Sequence, residues 1–469
     1  MTTNDFKTHL HSLIQLQRSA HTEAGLPDAA TRRDRLMRAA AMLARASDAI
    51  AAAVSEDFGH RSADETRFET FGALNALRTA AARVENWMQP AQHPALAPGA
   101  EARVEYSPLG VVGVIGPWNY PIMCVFGPLA GILAAGNRAI IKPSEFTPRT
   151  SALLARLIAE TFHPTEVAIV QGERAEGALF SAAPFDHLMF TGSTAVGRLV
   201  MRAAADNLTP VTLELGGKSP VIVSDTYDLA EAAQRVMAVK LRNAGQICLA
   251  PDYALVPAGR EREFAEQCVA AAHRMHPDGL ESADYTSIIS DAHFARLERL
   301  VADAEARGGE IVSVFKPARP TGARRMMPVV TLNPPRDALV MREEIFGPIL
   351  PILGYRSIDE ALETLRSGAS PLALYYFGAD DAHARQVLDG TASGGVTIND
   401  VMTHMFVEDM PYGGIGASGM GAYRGEAGFR TFSHARAIYR QTEAREQVVL
   451  LHPPYREPFR KFLTAAIAG

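Results

Sequence analysis

The run Asn243-Ala244-Gly245-Gln246-Ile247-Cys248-Leu249-Ala250-Pro251 holds one of the three cysteines in 469 residues. A cysteine taken alone is usually a buried thiol that packs like a small hydrophobe. Here the neighbours are Asn, Gly, Gln and then Ala-Pro, which suits a loop whose backbone amides are free. A thiolate in such a loop is a nucleophile if its pKa is lowered and a base lies near. Leu213-Glu214-Leu215-Gly216-Gly217-Lys218 supplies a carboxylate between leucines at a strand end. Burial there raises a carboxyl pKa and suits the group to act as a general base. Gly116-Pro117-Trp118-Asn119-Tyr120-Pro121 fixes one amide side chain between two rings and two prolines. Asn119 either caps its own backbone or donates to a developing oxyanion.

Three further segments have the residue types for holding a ligand. Phe190-Thr191-Gly192-Ser193-Thr194-Ala195-Val196-Gly197 follows an apolar run and opens a helix, so its small-residue turn offers N–H groups to an anion. Its spacing matches neither G-x-G-x-x-G nor a P-loop, and by itself it reads as an ordinary β–α turn. Ile141-Lys142-Pro143-Ser144-Glu145 ends another run, where parallel sheets place their ligand crevice. Lys142 and Glu145 are either partners for ribose hydroxyls or a solvated pair. Glu343-Glu344-Ile345-Phe346-Gly347-Pro348 sets a carboxylate beside an aromatic before a tight turn, with Glu343 the solvated one. The histidines show no metal-ligand spacing, and His163, His187, His404 and His434 read as surface or packing residues. No metal site is expected. Cys124 and Cys268 lie on helical stretches and read as inert.

The elements that must position these groups follow from the pattern of apolar residues. Residues 28 to 90 read as helices, with Leu36, Leu43 and Ile50 recurring on one face, Asp28 as N-cap and Gly59 as stop. Arg32-Arg33 with Arg35 reads as the polar face of that helical stretch. Pro90, Pro94 and Pro98 then rule out a helix, and Arg103-Val104-Glu105-Tyr106 alternates like an exposed strand, either in a linker or in an arm. From Gly110, apolar runs at 111–115, 139–141, 167–170 and 188–190 alternate with helical stretches at 124–135 and 151–161. A second alternation starts near Val211 and continues at 221–223, 254–256, 329–332, 349–353, 372–377 and 396–398. Near-continuous apolar strands between helices indicate parallel sheets covered on both faces. The expectation is an α/β chain with two parallel-sheet, Rossmann-like domains joined near Leu213.

Composition places the same chain among globular proteins. A formal net charge of -6 and the absence of a basic run argue against a nucleic-acid partner. Three cysteines without a C-x-x-C motif fit a reducing compartment better than a disulfide scaffold. No apolar run approaches the roughly 20 residues of a membrane span, and the first residues lack a signal-peptide core. A soluble, cytoplasmic protein with no membrane partner is expected.

Taken together, PWNYP (117–121), IKPSE (141–145), FTGST (190–194), LELGGK (213–218), GQIC (245–248) and EEIFGP (343–348) resemble the NAD(P)-dependent aldehyde dehydrogenase superfamily. The resemblance runs from the N-terminal helices to about Gln441. The segment 410–434, MPYGGIGASGMGAYRGEAGFRTFSH, resembles the class 3 branch and, within it, the bacterial coniferyl aldehyde dehydrogenases. The resemblance implies that Cys248 attacks an aldehyde, Asn119 and the Cys248 N–H hold the oxyanion, and Glu214 activates the water that hydrolyses the thioester. It implies that Lys142 and Glu145 meet the adenine-side ribose, Gly192 and Ser193 the pyrophosphate, and Glu344 the nicotinamide ribose. Phe346 and Trp118 would flank the cofactor, while Tyr120 and Ile247 would wall the substrate.

The same resemblance implies that residues 1–88 and 106–212 form the NAD(P)-binding domain and 213–400 the catalytic domain. Residues 89–105 and 401–445 would form an oligomerisation and C-terminal arm, displacing the linker reading, in a homodimer. NAD is the expected cofactor, since Glu145 repels a 2′-phosphate, with NADP also open. The loop 401–407 adds Met402, Met405 and Phe406, either as an apolar mouth for aromatic or medium-chain aldehydes or as interface packing. Rival readings are a general aliphatic aldehyde dehydrogenase, a CoA-acylating semialdehyde dehydrogenase, a silent binding protein and a cofactor-free cysteine hydrolase. A base at position 214 argues against the CoA-acylating reading.

Overall fold

Phe6, Leu10 and Ile14 recur every four residues and, with Gln17, line the buried face of a first helix, α1 (Thr3–Ala24). The sequence expectation of helices begins only at residue 28. A capping box between Thr2 and Asp5 is the local signal for this earlier one. The computed structural model describes residues 2–96, 99–315, 324–378, 381–442 and 453–469. Ala97, Pro98 and residues 443–445 of the expected arm lie outside them.

Helix α2 (Ala29–Phe58) starts where the Asp28 side chain accepts from the Thr31 amide and ends at Gly59, whose φ of 81° is left-handed. Leu36, Leu43 and Ile50 are fully buried beneath α3 (Ala63–Trp87). The arginines on α2 correct the reading of a polar face. Arg32 is buried and donates to the carbonyls of Pro27 and Ala134, and buried Arg35 pairs with Glu166 at 3.0 Å. Buried guanidinium groups of this kind tie helix ends together, a role composition does not reveal.

The chain continues through β1 (Ala91–His93) and β2 (Glu101–Pro108), then β3 (Val111–Ile115), α4 (Met123–Ala134), β4 (Arg138–Lys142) and α5 (Pro148–Thr161). Next come β5 (Val167–Ile169), α6 (Arg174–Ser181), β6 (His187–Thr191), α7 (Thr194–Ala205) and β7 (Val211–Glu214). A second series follows with β8 (Pro220–Val223), α8 (Leu229–Leu241), β9 (Tyr253–Pro257), α9 (Glu261–Met275), α10 (Asp291–Ala306) and β10 (Glu310–Ser313). It goes on through β11 (Val329–Leu332), α11 (Leu339–Arg342), β12 (Ile349–Tyr355), α12 (Ile358–Arg366), β13 (Ala373–Phe377), α13 (Asp381–Gly390) and β14 (Gly395–Ile398). The last described elements are β15 (Gly419–Met420), α14 (Gly425–Thr431), β16 (Ser433–Arg440) and α15 (Glu457–Ala468).

These strands form three sheets, ordered β15-β7-β6-β3-β4-β5, β10-β11-β12-β9-β8-β13-β14 and β1-β2-β16. The first two are parallel except at β15 and β10, and the third is antiparallel. The expected α/β architecture with two parallel sheets is thus present. Strand β7, which apolar spacing puts at the head of the second series, is hydrogen-bonded to β6 and so belongs to the first sheet. Spacing along a chain says that a strand forms; it does not say which neighbour it pairs with. Strand β15 returns from far along the chain to pair with β7, setting Gly419 opposite Glu214.

Register brings the functional segments to one end of the first sheet. Ile115 at the end of β3 is flanked by Lys142 on β4 and Phe190 on β6, and Thr191 faces Glu214 on β7. Carboxyl ends of parallel strands are where such sheets open a ligand crevice.

Candidate active site

The loop carrying Cys248 has an unusual backbone. Asn243, Ala244 and Gly245 are all left-handed, with φ of 49°, 50° and 72°. For residues other than glycine this costs free energy, so the surroundings must hold it in place. Gln246 does so: its buried amide donates to the carbonyls of Asn243 and Ser287 and accepts from the Ile289 amide at 3.0 Å. Gly245 fits because a β-carbon there would lie 2.3 Å from the Gly347 carbonyl oxygen. Asn119 Nδ2 donates to the Gln246 carbonyl at 3.1 Å, and Asn243 Nδ2 donates to the Asn119 carbonyl at 3.1 Å. The two asparagines and the cysteine loop are therefore stitched together. One of the two Asn119 N–H groups is committed, which leaves the other for a ligand oxygen.

Behind Asn119 sits a buried charge cluster that the sequence reading did not single out. Arg61 is fully enclosed, donates to the Asn119 carbonyl at 3.1 Å and approaches Glu69 at 3.1 Å. Glu69 Oε1 accepts from the amides of Ile122 and Met123 at 2.7 and 3.0 Å. This clamps the turn 117–121 from both sides. Helix α3 thus holds the position of the amide from a distance in sequence that no local motif spans.

Cys248, Glu214, Asn119 and Trp118 line one cavity of about 930 Å³ together with Gly192, Ser193, Glu344 and Phe346. Burial pushes the Cys248 thiol up to about 12; a contact from Tyr412 opposes this, and the Glu344 and Glu214 carboxyls add to it. Among the described residues Glu214 has no hydrogen-bond partner at either carboxyl oxygen, and burial holds its pKa well above the usual carboxylate range. Glu344 is raised to about 7, first by burial and then by Asp252, while the Gly217 amide pulls it down. Its carboxylate lies against Gly216, where a β-carbon would sit 2.0 Å from Oε1. Lys218 completes this corner. It pairs with Asp252 and donates to the carbonyls of Val340 and Glu343, and Asp252 accepts from the Ile345 amide at 2.8 Å. The ion pair anchors the segment 343–348 beside the strand end that carries Glu214.

The other end of the cavity has the features of a dinucleotide cradle. Ser193 caps α7 by accepting from the Val196 amide, and Gly192 crosses Phe190, whose ring would lie 2.5 Å from a β-carbon there. Thr194 and Ala195 in the first turn of α7 line this end, as does Thr191, whose hydroxyl has no hydrogen-bond partner among the described residues. Trp118 is met edge-on by Phe346 at 5.4 Å and by His293 at 5.2 Å. His293 is a cavity residue with no motif around it to announce it.

Lys142 and Glu145 stand at the end of β4, outside the cavity lining, 3.6 Å apart, and burial lowers the Lys142 pKa. Tyr120 and Ile247 are also outside the lining. The Tyr120 hydroxyl donates to Glu65 at 3.2 Å and its ring lies under Arg61, while Ile247 packs in the core. Cys124 differs from its reading as a bystander in an apolar helix, since it faces the same cavity as Cys248. Of the loop 401–407, Met402 is buried, Met405 packs against the core, and the exposed Phe406 meets Phe68 edge-on at 5.7 Å.

A nucleophilic cysteine, an orphaned carboxyl and a side-chain amide around one cavity, at the mouth of a parallel sheet, define a class of enzyme. The chain belongs to the aldehyde dehydrogenase family, which it matches over residues 5–438. It is an NAD(P)-dependent oxidoreductase acting on aldehydes. Among its relatives is the coniferyl aldehyde dehydrogenase of a Pseudomonas species, 50% identical over 463 residues that span 98% of this chain and 96% of that one. The substrate-bound state of Staphylococcus aureus AldH superposes with a TM-score of 0.92 at 34% identity, covering 98% and 99% of the two chains. Betaine aldehyde dehydrogenase from the same organism, solved with NAD+, superposes with a TM-score of 0.83 at 26% identity over 92% and 88%.

Proposed function

We propose that the protein oxidises cinnamyl-type aromatic aldehydes, coniferyl aldehyde among them, to the carboxylic acids with NAD+. The observation that carries the chemistry is the pairing of Cys248 with the partnerless carboxyl of Glu214 in one cavity. The Cys248 thiolate, formed once the thiol has lost its proton to solvent, attacks the aldehyde carbon, and the electron pair displaced onto oxygen is held by Asn119 Nδ2 and the Cys248 N–H. When bound, the nicotinamide accepts hydride from the resulting adduct. Glu214, once deprotonated, takes a proton from the water that attacks the thioester, and the acyl C–S bond breaks to release the acid and leave Cys248 as a thiolate.

Gly192, Ser193 and the start of α7 suit the pyrophosphate, and Glu344 suits the nicotinamide-side ribose. Trp118 and Phe346 suit the flanks of the cofactor, and Lys142 with Glu145 the adenine-side ribose. A carboxylate at 145 disfavours a 2′-phosphate, which supports NAD over NADP. The aromatic assignment draws on the relative's substrate and on the apolar group Phe68, Met405 and Phe406 near the cysteine loop, with Arg242 over the Phe68 ring at 5.0 Å. A homodimer in the cytoplasm is part of the same reading. Among the described residues no helix is long and apolar enough to cross a membrane.

The test is reduced-nicotinamide formation over acetaldehyde, hexanal, benzaldehyde and coniferaldehyde, with NAD and NADP in separate runs. A kcat/KM for coniferaldehyde at least about tenfold above hexanal is expected, as one aromatic ring well packed in an apolar pocket yields that much discrimination. Equal rates across the aliphatic series would reject the aromatic assignment and keep the mechanism. Acyl-CoA formation when CoA is added would favour the CoA-acylating reading instead.

A further inference from the structure

Among the described residues the Cys248 sulfur has one side-chain hydrogen-bond partner, the phenolic oxygen of Tyr412 at 3.6 Å. That hydroxyl makes no other hydrogen bond among them. Tyr412 is buried, its ring meets Tyr423 edge-on at 5.4 Å, and the Arg424 guanidinium lies 5.4 Å from its centroid. The Tyr423 amide donates to the Tyr412 carbonyl at 3.0 Å, closing the loop 412–423 on itself. The same loop carries β15, whose Gly419 pairs with Glu214, and its Ser418 carbonyl accepts from the Leu215 amide at 3.0 Å. One segment therefore fixes the phenol relative to the nucleophile and to the carboxyl together.

We propose that Tyr412 is a further catalytic residue, donating its hydroxyl to the Cys248 sulfur both as nucleophile and as leaving group. The inference rests on the assignment of Cys248 as nucleophile made above. In thioester hydrolysis the water oxygen bonds to the acyl carbon, its proton passes to Glu214, and the C–S bond breaks with its electron pair left on Sγ. No oxidation accompanies that step. The charge that develops on sulfur then falls 3.6 Å from a phenol already in place. A hydrogen bond to a charged group is among the stronger ones.

The other groups around Sγ work the opposite way. Glu214 on β7, Glu344 before β12, Cys124 on α4, Tyr375 on β13 and Tyr423 bring two carboxyls, a second thiol and two phenols to the site. The carboxyls disfavour a thiolate, as does burial, leaving Tyr412 and the Cys248 N–H as the groups that favour it.

The test uses the full-length enzyme and the isosteric Tyr412→Phe. Alkylation of Cys248 by iodoacetamide at fixed pH requires neither aldehyde nor nicotinamide, so it is independent of the substrate assignment. Loss of the hydrogen bond lowers the thiolate fraction about tenfold, offset in part by a more reactive thiolate, so alkylation slows roughly threefold. Placing 3-fluorotyrosine at 412, a more acidic phenol in the same shape, shifts the rate in the opposite direction from Tyr412→Phe. In pre-steady-state traces with excess substrate, Tyr412→Phe retains the amplitude of the burst of reduced nicotinamide and slows the steady state that follows about tenfold. An unchanged alkylation rate with unchanged deacylation overturns the proposal, as does a fluorotyrosine effect of the same sign as Phe. Cys248→Ala tests the underlying reading separately: persistent aldehyde oxidation in that variant sinks it without reference to Tyr412.

Discussion

At the scale of single residues, burial raises the pKa of both working groups. Cys248 is pushed up to about 12 and Glu214 well above the normal carboxylate range, each chiefly by burial. A base that must lose a proton to act makes deacylation faster as pH rises toward its raised pKa. Replacing Glu214 with Gln should leave a burst of reduced cofactor and cut steady-state turnover by about 10²- to 10⁴-fold, with the pH dependence of deacylation flattened. Equal loss of burst and steady state would count against Glu214 as the deacylating base. The same carboxyl predicts a stability effect. Its folded pKa lies above its unfolded one, so its favourable contribution is complete below the unfolded value and is lost as pH rises through the folded value. Melting temperatures of wild type and Glu214→Gln measured from pH 5 to pH 9 should therefore diverge at high pH, with the variant the more stable. A constant difference would mean Glu214 is not the buried titrating group.

At the scale of elements, the reactive groups sit on loops and strand ends, and the elements behind them do the positioning. Gln246 braces three left-handed residues, Arg61 and Glu69 clamp the turn of Asn119, and Lys218 with Asp252 pins the segment of Glu344. Gly216 is the tightest of these junctions, with a β-carbon coming 2.0 Å from Glu344 Oε1. Gly216→Ala should displace that carboxylate and raise KM for the nicotinamide cofactor about tenfold or more, with burst chemistry retained at saturation. Glu344→Gln should reproduce the KM change, whereas a loss confined to kcat in Gly216→Ala would show that the contact serves another purpose. Sequence reading places the loops well and misses their braces. Arg61 and Asn119 stand 58 residues apart, and a buried arginine has no local signature.

At the scale of the whole molecule, the antiparallel sheet of β1, β2 and β16 joins residues 91–93 and 101–108 to residues 433–440, with β16 at one edge. An edge strand with unpaired backbone groups is a natural site for a second copy to continue the sheet. Sedimentation velocity should give a single species at twice the chain mass at micromolar concentration; a monomer there would reject the dimer. What the sequence offered by itself was a candidate site: Cys248, Glu214 and Asn119 lie in short runs whose residue types suit a nucleophile, a base and an amide donor, and the alternation of apolar strands with helices states a parallel α/β fold. Both are local properties, carried by neighbours a few positions away. Only the tertiary structure decided that β7 joins the first sheet, that Cys124 and His293 enter the cavity, and that the Tyr120 hydroxyl donates to Glu65. It alone brought Tyr412 from 164 residues away to the sulfur. Strand pairing and cavity walls depend on contacts between distant segments, and periodicity along the chain has no access to those distances.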